Sequence, residues 1–435
     1  MEKDNRIKIV DSRCGSGKTS FAIQYINKLP EDSKIIYITP FLKECERIKE
    51  SCPNKNFYTP DVRRGQGSKM VDLISLMGKG RNIVSTHALF QNVDDRLLSV
   101  IRNNSYILIL DEVMDVIEKL DLYSDTNKTE EQREQFTKQD LETLIDKKII
   151  EVDPETYLVR WNMDKGILNK YIQLKNLADR DMLYLVGQDL LIWSFPIEVF
   201  KEGYFEEIFI LTYQFDNQIQ AYYYKFFNLS YSTYIVKEIS KGIYNIFPKE
   251  EGVDYDAEWK KELRKLIDVC DNPRLNKIGS YYHDRNNYRI ETCLSKNWFD
   301  KAEKSVVNTL VSNMVNYFQH IAKSKADERM WTCFKADKKR LKDNNLSKKG
   351  WVELNSRATN DHAAKTVLVY PINRYLNPFF IKFFSKKNIL LDQDKFALSE
   401  LIQWVFRSAI RNGKKISIYI PSQRMRELFL GWLND

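Results

Sequence analysis

The clearest chemical signal in this sequence is the stretch SRCGSGKTS at residues 12–20, which directly follows the apolar run at residues 7–10. Glycines at positions 15 and 17 let the main chain approach a ligand closely, so that its N–H groups can surround a phosphate. Lys18 would reach the outer phosphates of a nucleotide, and the Thr19 hydroxyl would bind Mg²⁺. The predicted nucleotide-binding residues are Gly15, Ser16, Gly17, Lys18, Thr19 and Ser20. The alternative is a Gly/Ser turn that binds nothing.

A pair of acidic residues could provide the metal-binding and catalytic groups of the same nucleotide site. The apolar run ILIL is followed by Asp111 and Glu112. A carboxylate at the end of a buried strand can hold Mg²⁺, and its neighbour can polarise the attacking water. We therefore predict Asp111 and Thr19 as metal-binding residues and Glu112 as a catalytic residue of an ATPase. An exposed acid pair that begins a loop is the alternative.

These residues require a scaffold that brings them together. Apolar runs of strand length alternate with helical segments, which predicts a parallel sheet with helices on both faces. In such sheets ligands bind at the carboxyl ends of the strands. The predicted strands are 7–10, 34–38, 81–85, 106–110, 182–186 and 207–211, and the predicted helices between them include 20–29 and 42–51.

Composition limits the classes of protein that remain. A chain of 435 residues with 43% hydrophobic and 29% charged residues predicts a folded protein of two or three domains. Its formal net charge of +8 permits a polyanionic partner without requiring one. The six cysteines and four histidines lack metal-ligand spacing, and no signal peptide or membrane span is visible. We expect a cytoplasmic protein with no membrane partner.

With these motifs in place, the chain resembles superfamily 2 helicases. SRCGSGKT is similar to their AxxGxGKT loop, with Ser12 at the position of the usual alanine, and LDEVMD is similar to their DEAH box, with Met114 in place of the histidine. YITPF, STHALF and ELNSRATND resemble their nucleic-acid contact motifs. The resemblance implies the following nucleic-acid-binding residues: Thr39, Pro40, Thr86, His87, Arg357, Thr359 and Asn360.

The resemblance continues near the C-terminus. LIQWVFRSAIRNG is similar to the motif in which a glutamine precedes two arginines that face the γ-phosphate, and this similarity implies catalytic roles for Gln403, Arg407 and Arg411. The three residues recur at intervals of four. On one continuous helix they would share a face opposite an apolar stripe, although a basic surface face is the alternative. The stripe consists of Leu398, Leu401, Ile402, Val405, Phe406 and Ile410.

The resemblance implies an α/β fold of two tandem RecA-like P-loop NTPase domains with the ATP site in the cleft between them. We expect the first domain at residues 1–235, with a charged helical insertion at about 118–181, and the second at 236–435. The expected cofactors are ATP and Mg²⁺. The expected partner is nucleic acid, with single-stranded or forked DNA favoured over RNA, together with replication or recombination proteins. The similarity is greatest to divergent helicase proteins of phages and prophages, which implies a role in replication or recombination of a phage genome.

Several alternatives stay open at this stage. Met114 and the absence of the SAT motif leave an ATP-dependent clamp on nucleic acid or protein, without unwinding activity, as an alternative. The expected place of the SAT motif is taken by FILTYQF, with Thr212. A DNA-packaging motor is a further alternative, although it would need a carboxylate cluster in the C-terminal half. The tyrosine-rich segment at residues 213–236 could stack on bases, but core packing is the simpler interpretation. The insertion could guide a strand or form a solvated helix face.

Overall fold

The computed structural model describes residues 6–120, 136–163, 168–187, 190–283, 286–287, 289–341, 346, 348–354 and 361–435. The chain divides into two compact units. The first consists of Met1–Ser12, Gly17–Pro248 and Asn377–Leu391, and the second of Arg13–Ser16, Lys249–Leu376 and Asp392–Asp435.

Secondary structure alternates along much of the chain. The strands are β1 (Ile7–Asp11), β2 (Lys34–Thr39), β3 (Ile83–Thr86), β4 (Tyr106–Asp111), β5 (Ile117–Lys119), β6 (Ile150–Val152), β7 (Val159–Trp161), β8 (Leu183–Val186), β9 (Leu190–Ser194), β10 (Phe205–Thr212), β11 (Ser232–Ser240), β12 (Ile243–Pro248), β13 (Ile267–Val269), β14 (Tyr282–His283), β15 (Arg289–Ile290), β16 (Arg329–Trp331), β17 (Val367–Val369) and β18 (Ile416–Tyr419). The helices are α1 (Lys18–Lys28), α2 (Leu42–Ser51), α3 (Lys69–Gly78), α4 (His87–Phe90), α5 (Asp95–Arg102), α6 (Lys138–Asp146), α7 (Ile172–Ala178), α8 (Ile219–Phe226), α9 (Ala257–Leu266), α10 (Pro273–Asn276), α11 (Lys296–Lys301), α12 (Lys304–Asn316), α13 (Pro378–Ser385), α14 (Gln393–Val405) and α15 (Gln423–Asn434).

The described residues of the first unit build a sheet in the order β12-β11-β1-β10-β4-β2-β3. All neighbouring strands pair in parallel except β11 and β12, which form an antiparallel hairpin at one edge. Every residue of β4 is buried. Its alternate side chains enter two cores, with Ile107 and Ile109 on one face and Leu108 and Leu110 on the other. A sheet covered on both faces requires the unbroken apolar runs seen in the sequence.

Two predicted features of the first unit differ from the structure. The run at residues 182–186 is a strand, but β8 pairs antiparallel with β9 in a separate small sheet, β5-β9-β8. An apolar run specifies burial rather than a pairing partner, so the sequence could not place this strand. The domain border expected near residue 235 lies inside β11, and the first unit continues to Pro248 because β11 joins β1 to the hairpin.

The described residues of the insertion expected at about 118–181 are only partly helical. Helix α6 begins at a capping box, in which the side chains of Thr137 and Asp140 bond to each other's main-chain N–H groups. Strands β6 and β7 then form an antiparallel hairpin. The rest of the predicted charged helix, residues 121–135, lies outside the described residues.

A segment from late in the sequence completes the first unit. The ring of Phe383 in α13 stacks on Phe226 in α8 with ring centroids 4.6 Å apart, and it meets the edge of Tyr184 at 5.4 Å. The Lys387 ammonium donates to the Phe226 carbonyl at 2.8 Å. The tyrosines of α8 at positions 222–224 are buried in the same core, so in the structure these rings pack rather than form an exposed stacking surface.

The second unit contains a parallel sheet in the order β13-β18-β17-β16. Helices α9, α12, α14 and α15 each bury apolar side chains, including Leu263, Leu310, Leu401 and Phe429. Both units are therefore α/β with parallel sheets and flanking helices, and the predicted fold of two RecA-like domains is confirmed. Among the residues that the structure describes, no helix combines the length and the apolar character needed to span a membrane.

The predicted continuous helix through Gln403, Arg407 and Arg411 is wrong. Helix α14 ends at Val405, and residues 409–412 form a separate 3₁₀ turn. Ser408 lies between them with φ −82° and ψ −172°, and its hydroxyl donates to the Val405 carbonyl at 2.7 Å. A serine side chain that bonds to the nearby main chain competes with helix continuation. The three residues therefore do not share one helix face.

Truncating Phe383, the α13 side chain that packs on α8 and β8, tests whether residues 377–391 stabilise the first unit. We expect Phe383→Ala to lower the free energy of unfolding by about 3–5 kcal/mol, because it leaves a cavity between α8 and β8. Ile381 is exposed on the same helix, so Ile381→Ala should stay within about 0.5 kcal/mol of wild type. Urea unfolding measures both values, and hydrogen exchange should rise in α8 and β8 only for Phe383→Ala. Unchanged exchange there would contradict this packing role.

Candidate nucleotide site

The phosphate-loop sequence forms a turn between β1 and the first turn of α1. Gly15 and Gly17 adopt left-handed conformations, with φ of +80° and +95°. At position 17 glycine is also required sterically, since a Cβ atom there would lie 2.3 Å from the Tyr244 ring. A Cβ atom at position 15 would meet nothing within 4 Å among the described residues, so the loop is open at its tip. Such a turn presents main-chain N–H groups at the start of a helix, which suits an anion.

Ser12 stands where a glycine or alanine is usual, and its side chain has a structural use. Its hydroxyl accepts from the Val236 N–H at 2.8 Å, and its own N–H donates to the Thr212 carbonyl at 3.0 Å. The residue before it, Asp11, accepts from the Gln214 N–H at 2.6 Å. Ser12 therefore ties the start of the loop to β10 and β11, so the substitution does not damage the loop. Sequence reasoning missed Asp11 because a single acid at a strand end carries no motif.

The remaining loop residues have the chemistry of a phosphate site. Lys18 is buried and its ammonium donates to the Ser12 carbonyl at 2.6 Å. The Ser16 hydroxyl is buried without a hydrogen-bond partner among the described residues. Thr19 and Ser20 are half-buried in the first turn of α1. A buried ammonium, an unsatisfied hydroxyl and two left-handed glycines together fit the phosphates of a nucleotide.

Asp111 ends β4 at the same edge of the sheet. Strand β10 separates β1 from β4, with Asp11 opposite Thr212 and Leu211 opposite Asp111. The Asp111 carboxylate accepts from the Tyr37 hydroxyl at 2.9 Å. Burial, together with the nearby charge of Glu112, raises the pKa of Asp111 to about 6, although the Tyr37 hydrogen bond and Lys18 oppose the shift. A buried carboxylate that is costly to ionise is well placed to gain from a divalent cation.

Glu112 has an unusual main chain for a residue with a side chain. Its φ is +68°, in the left-handed region, and its N–H donates to the Leu211 carbonyl at 2.9 Å. Two residues further along, the Met114 N–H donates to the side-chain oxygen of Gln220 at 3.0 Å. A strained conformation of this kind persists only where the surroundings hold it, and such positions occur often at functional sites. The Glu112 side chain is half-buried.

The residues predicted to contact nucleic acid occupy the neighbouring strand ends. Thr39 and Thr86 lie opposite each other at the ends of β2 and β3, and Pro40 follows directly. Thr39 is buried, with its hydroxyl unsatisfied among the described residues, whereas Pro40 and Thr86 are half-buried. His87 is buried too, and its Nε2 donates to the Asp111 carbonyl at 3.0 Å, so its ring points toward the acid pair. The other predicted contacts, Arg357, Thr359 and Asn360, lie outside the described residues.

The predicted arginines of the second unit have different environments. Arg407 is buried, and its Nη1 donates to the carbonyls of Glu353 and Leu354 at 3.0 and 3.1 Å. Arg411 is exposed in the 3₁₀ turn, and Gln403 is half-buried on α14. Arg407 thus supports the chain that leads into residues 355–360, whereas Arg411 has a side chain open to solvent. The sequence carried no signal for this difference.

Asp111→Asn tests the cost of the buried carboxylate. The raised pKa means that the folded protein binds this proton more tightly than the unfolded chain, so stability falls as the pH rises toward the folded-state pKa of about 6. Without nucleotide or Mg²⁺ we expect Asp111→Asn to raise the free energy of unfolding by up to about 3 kcal/mol at pH 7.5, with a smaller gain at pH 5. Urea unfolding at both pH values measures this difference. The exposed Asp32→Asn is the control, and a gain independent of pH would contradict the prediction.

The chain matches two described families and one full-length relative. It matches the YonV C-terminal Rossmann-like domain over residues 261–433 and the YonV middle domain over residues 131–193. It is 37% identical over 440 residues to the SPbeta prophage-derived uncharacterized protein YonV of Bacillus subtilis (strain 168), with 99% of each chain covered.

Two solved structures show a distant likeness. One is S. tokodaii Xpd4, at 12% identity and a TM-score of 0.40, with 98% of this chain and 94% of that chain covered. The other is the DUF1998 helicase MrfA bound to DNA and AMPPNP, at 10% identity and a TM-score of 0.32. All of this chain is covered there but only 48% of MrfA, so the chain spans about half the length of that protein. At these TM-scores the likeness assigns no function to this chain. The full-length identity to the prophage protein places the chain in the YonV family.

Proposed function

We propose that this protein is an ATP-dependent nucleic-acid translocase or helicase of the superfamily 2 type. The observation that supports it most is the placement of the phosphate loop and the acid pair Asp111–Glu112 at one edge of a parallel sheet, separated by the single strand β10. The phosphate loop and the acid pair were identified independently in the sequence, and a bound nucleotide would need both of them at this edge. Nucleotide hydrolysis is the chemistry that uses a cationic loop and two carboxylates together.

In this proposal the chain's own residues bind and orient the triphosphate. The N–H groups around Gly15 and Gly17 surround the phosphates, and Lys18 exchanges the Ser12 carbonyl for phosphate oxygens. Thr19 and Asp111 hold Mg²⁺, which when bound neutralises charge on the phosphates. Glu112 accepts a proton from the attacking water, and its left-handed main chain sets the direction of its carboxylate.

The second unit is proposed to complete the reaction. Arg411 is the better candidate for the arginine that stabilises charge on the transferred phosphoryl group, because its side chain is exposed while that of Arg407 is engaged with main-chain carbonyls. Gln403 remains a candidate for orienting the nucleotide. Arg407 then acts indirectly, by holding the main chain at Glu353 and Leu354.

Nucleic acid is proposed to lie along the strand ends at Thr39–Pro40 and Thr86. The side chains of Phe41 and Leu42, which follow directly, are exposed at this edge. Contacts of this type hold a strand by its backbone without reading sequence, which suits movement along single-stranded or forked DNA, with RNA as the alternative. The prophage origin of the full-length relative supports a role in replication or recombination of a phage genome in the bacterial cytoplasm, with partner proteins of those processes.

A clamp that binds ATP without unwinding is the second candidate. Met114 is buried in the core of the first unit, so the box has no side chain at this position that could contact a bound nucleotide. This feature favours weak coupling between hydrolysis and movement. A packaging motor receives no support, because no group of three or more potential metal ligands occurs within the described part of the chain.

Removing the loop lysine tests nucleotide binding. We expect Lys18→Ala to weaken ATP binding by about 100-fold, since it removes charge-assisted hydrogen bonds to phosphate. Lys28→Ala, which changes an exposed lysine at the end of the same helix, is the control. Isothermal titration measures binding, and ATPase assays with single-stranded DNA, forked duplex or RNA measure stimulation. ATP binding without stimulation by any nucleic acid would reject the translocase and leave an ATP-dependent clamp that binds a protein. Strand separation on the forked duplex would reject a clamp on nucleic acid and a clamp on protein alike.

Separate arginine variants test the division of roles. We expect Arg411→Ala to lower kcat by about 10³-fold, because the charge that stabilises the transferred phosphoryl group is lost. The melting temperature should not change, because the Arg411 side chain is exposed. Arg407→Ala should instead lower stability by roughly 3 kcal/mol, because the buried guanidinium is lost and two part-buried carbonyls lose their donor. Steady-state kinetics and calorimetry distinguish the two effects. Normal hydrolysis by Arg411→Ala would show that this arginine is not the finger.

A further inference from the structure

Two glutamines near the start of α8 contact the chain that follows the acid pair and the end of β10, which lies beside it in the sheet. Gln220 is fully buried, and its Oε1 accepts from the Met114 N–H at 3.0 Å. Gln218 is also buried, and its Nε2 donates to the Thr212 hydroxyl at 3.1 Å and to the Tyr213 carbonyl at 2.6 Å. One short segment therefore bonds to the chain after Glu112 and to the end of β10.

We propose that Gln218 and Gln220, here called the glutamine pair, are positioning residues that hold Glu112 in its reactive orientation. This inference rests on the proposed ATPase function. It goes beyond that function by assigning to the start of α8 the link between residues 111–114, here called the acid box, and the end of β10. The hydrogen bonds of both glutamines go to residues outside the phosphate loop. Gln220 holds the main chain at Met114, and Gln218 holds the Thr212 hydroxyl and the Tyr213 carbonyl.

The main chain of Glu112 explains why such a link is needed. A glutamate with φ +68° relaxes to an ordinary conformation unless its neighbours prevent it. The Leu211 carbonyl holds the Glu112 N–H from β10, and Gln220 holds the Met114 N–H from α8. Loss of either bond frees one side of the strained residue, and the carboxylate would then move relative to the phosphate loop.

The end of β10 is linked to the phosphate loop as well. The Gln214 N–H donates to the Asp11 carboxylate at 2.6 Å, and the Ser12 N–H donates to the Thr212 carbonyl at 3.0 Å. With Gln218 on Thr212 and Gln220 on Met114, residues 212–220 connect the start of the loop to the acid box through buried hydrogen bonds. The Gln218 Oε1 is buried without a hydrogen-bond partner among the described residues, so the two bonds of its Nε2 are what hold this side chain in place.

The other face of α8 packs on α13 through Phe226 and Phe383. Residues 377–391 enter from the second unit's chain and return to it. The glutamine pair thus lies at the start of a helix that contacts the acid box at one end and α13 at the other. Both contacts are within the first unit, although residues 377–391 are covalently joined at both ends to the second unit's chain.

The test uses the full chain and the near-isosteric variant Gln220→Met, which removes the acceptor for the Met114 N–H and the donor to the Tyr224 hydroxyl. We expect kcat for ATP hydrolysis to fall by about 10- to 100-fold, because the carboxylate is displaced rather than removed. The ATP Kd should change by less than about threefold, because no loop residue is altered. Gln218→Met should behave similarly, and it carries the test if Gln220→Met does not fold.

Tyr223→Phe is the matched control. It removes one buried hydrogen bond of the same helix, from the Tyr223 hydroxyl to the Phe195 carbonyl at 2.7 Å, without touching the acid box or β10. It should lower the melting temperature to a similar degree and keep kcat within about threefold of wild type. A kcat loss that follows the melting temperature equally in all three variants would overturn the inference.

A double variant shows whether Gln220 acts through Glu112. In single-turnover measurements, adding Gln220→Met to Glu112→Gln should reduce the remaining rate by less than about twofold, since the group being positioned is already gone. A reduction equal to that in wild type would overturn the inference. Wild-type protein that hydrolyses no ATP would reject the proposed function and this inference together, whereas an active wild type with unchanged kcat in Gln220→Met would reject the inference alone.

Discussion

Parallel pairing of β10 with β1 on one side and β4 on the other is the constraint on which the candidate site depends. The register places Asp11 opposite Thr212 and Leu211 opposite Asp111, so the loop and the acid pair leave the sheet at the same level. A register error of one residue would reverse every side chain of a strand between the two cores. Because the six parallel strands are held by apolar packing on both faces, that error is strongly disfavoured, and the polar ends are positioned by the core rather than by each other.

On this apolar frame the structure places a small number of buried polar groups. The Asp111 carboxylate is bonded to Tyr37, Lys18 to the Ser12 carbonyl, and His87 to the Asp111 carbonyl. Their burial makes charge costly, as the raised pKa of Asp111 shows. A site in this condition favours a ligand that brings compensating charge, which is the physical basis for expecting a divalent cation together with a triphosphate.

The sequence predicted much of this arrangement, and its failures share a cause. Strands and helices around the loop were predicted to within a few residues, because each combines an apolar run with a local boundary signal. The run at 182–186 was placed in the wrong sheet, since β8 and β4 look alike until their pairing partners are known. The helix through Arg411 was extended too far, because the side-chain bond of Ser408 outweighed a favourable periodicity. Ser12 was judged by similarity to a motif, whereas its hydroxyl bond to Val236 depends on a strand more than 200 residues away.

The sequence by itself determined the local chemistry: glycines where the main chain must be left-handed, a lysine and a threonine at the start of a helix, and acids at the end of an apolar strand. These are properties of neighbouring residues and follow from short-range sterics and burial. Only the tertiary structure decided which of the polar groups meet. It brought Gln218 and Gln220 to Thr212 and the acid box, and it turned His87 inward. It also buried Arg407 while leaving Arg411 exposed, and it returned residues 377–391 to the first unit. Contacts between residues distant in sequence are set by the packing of whole elements, which no local pattern encodes.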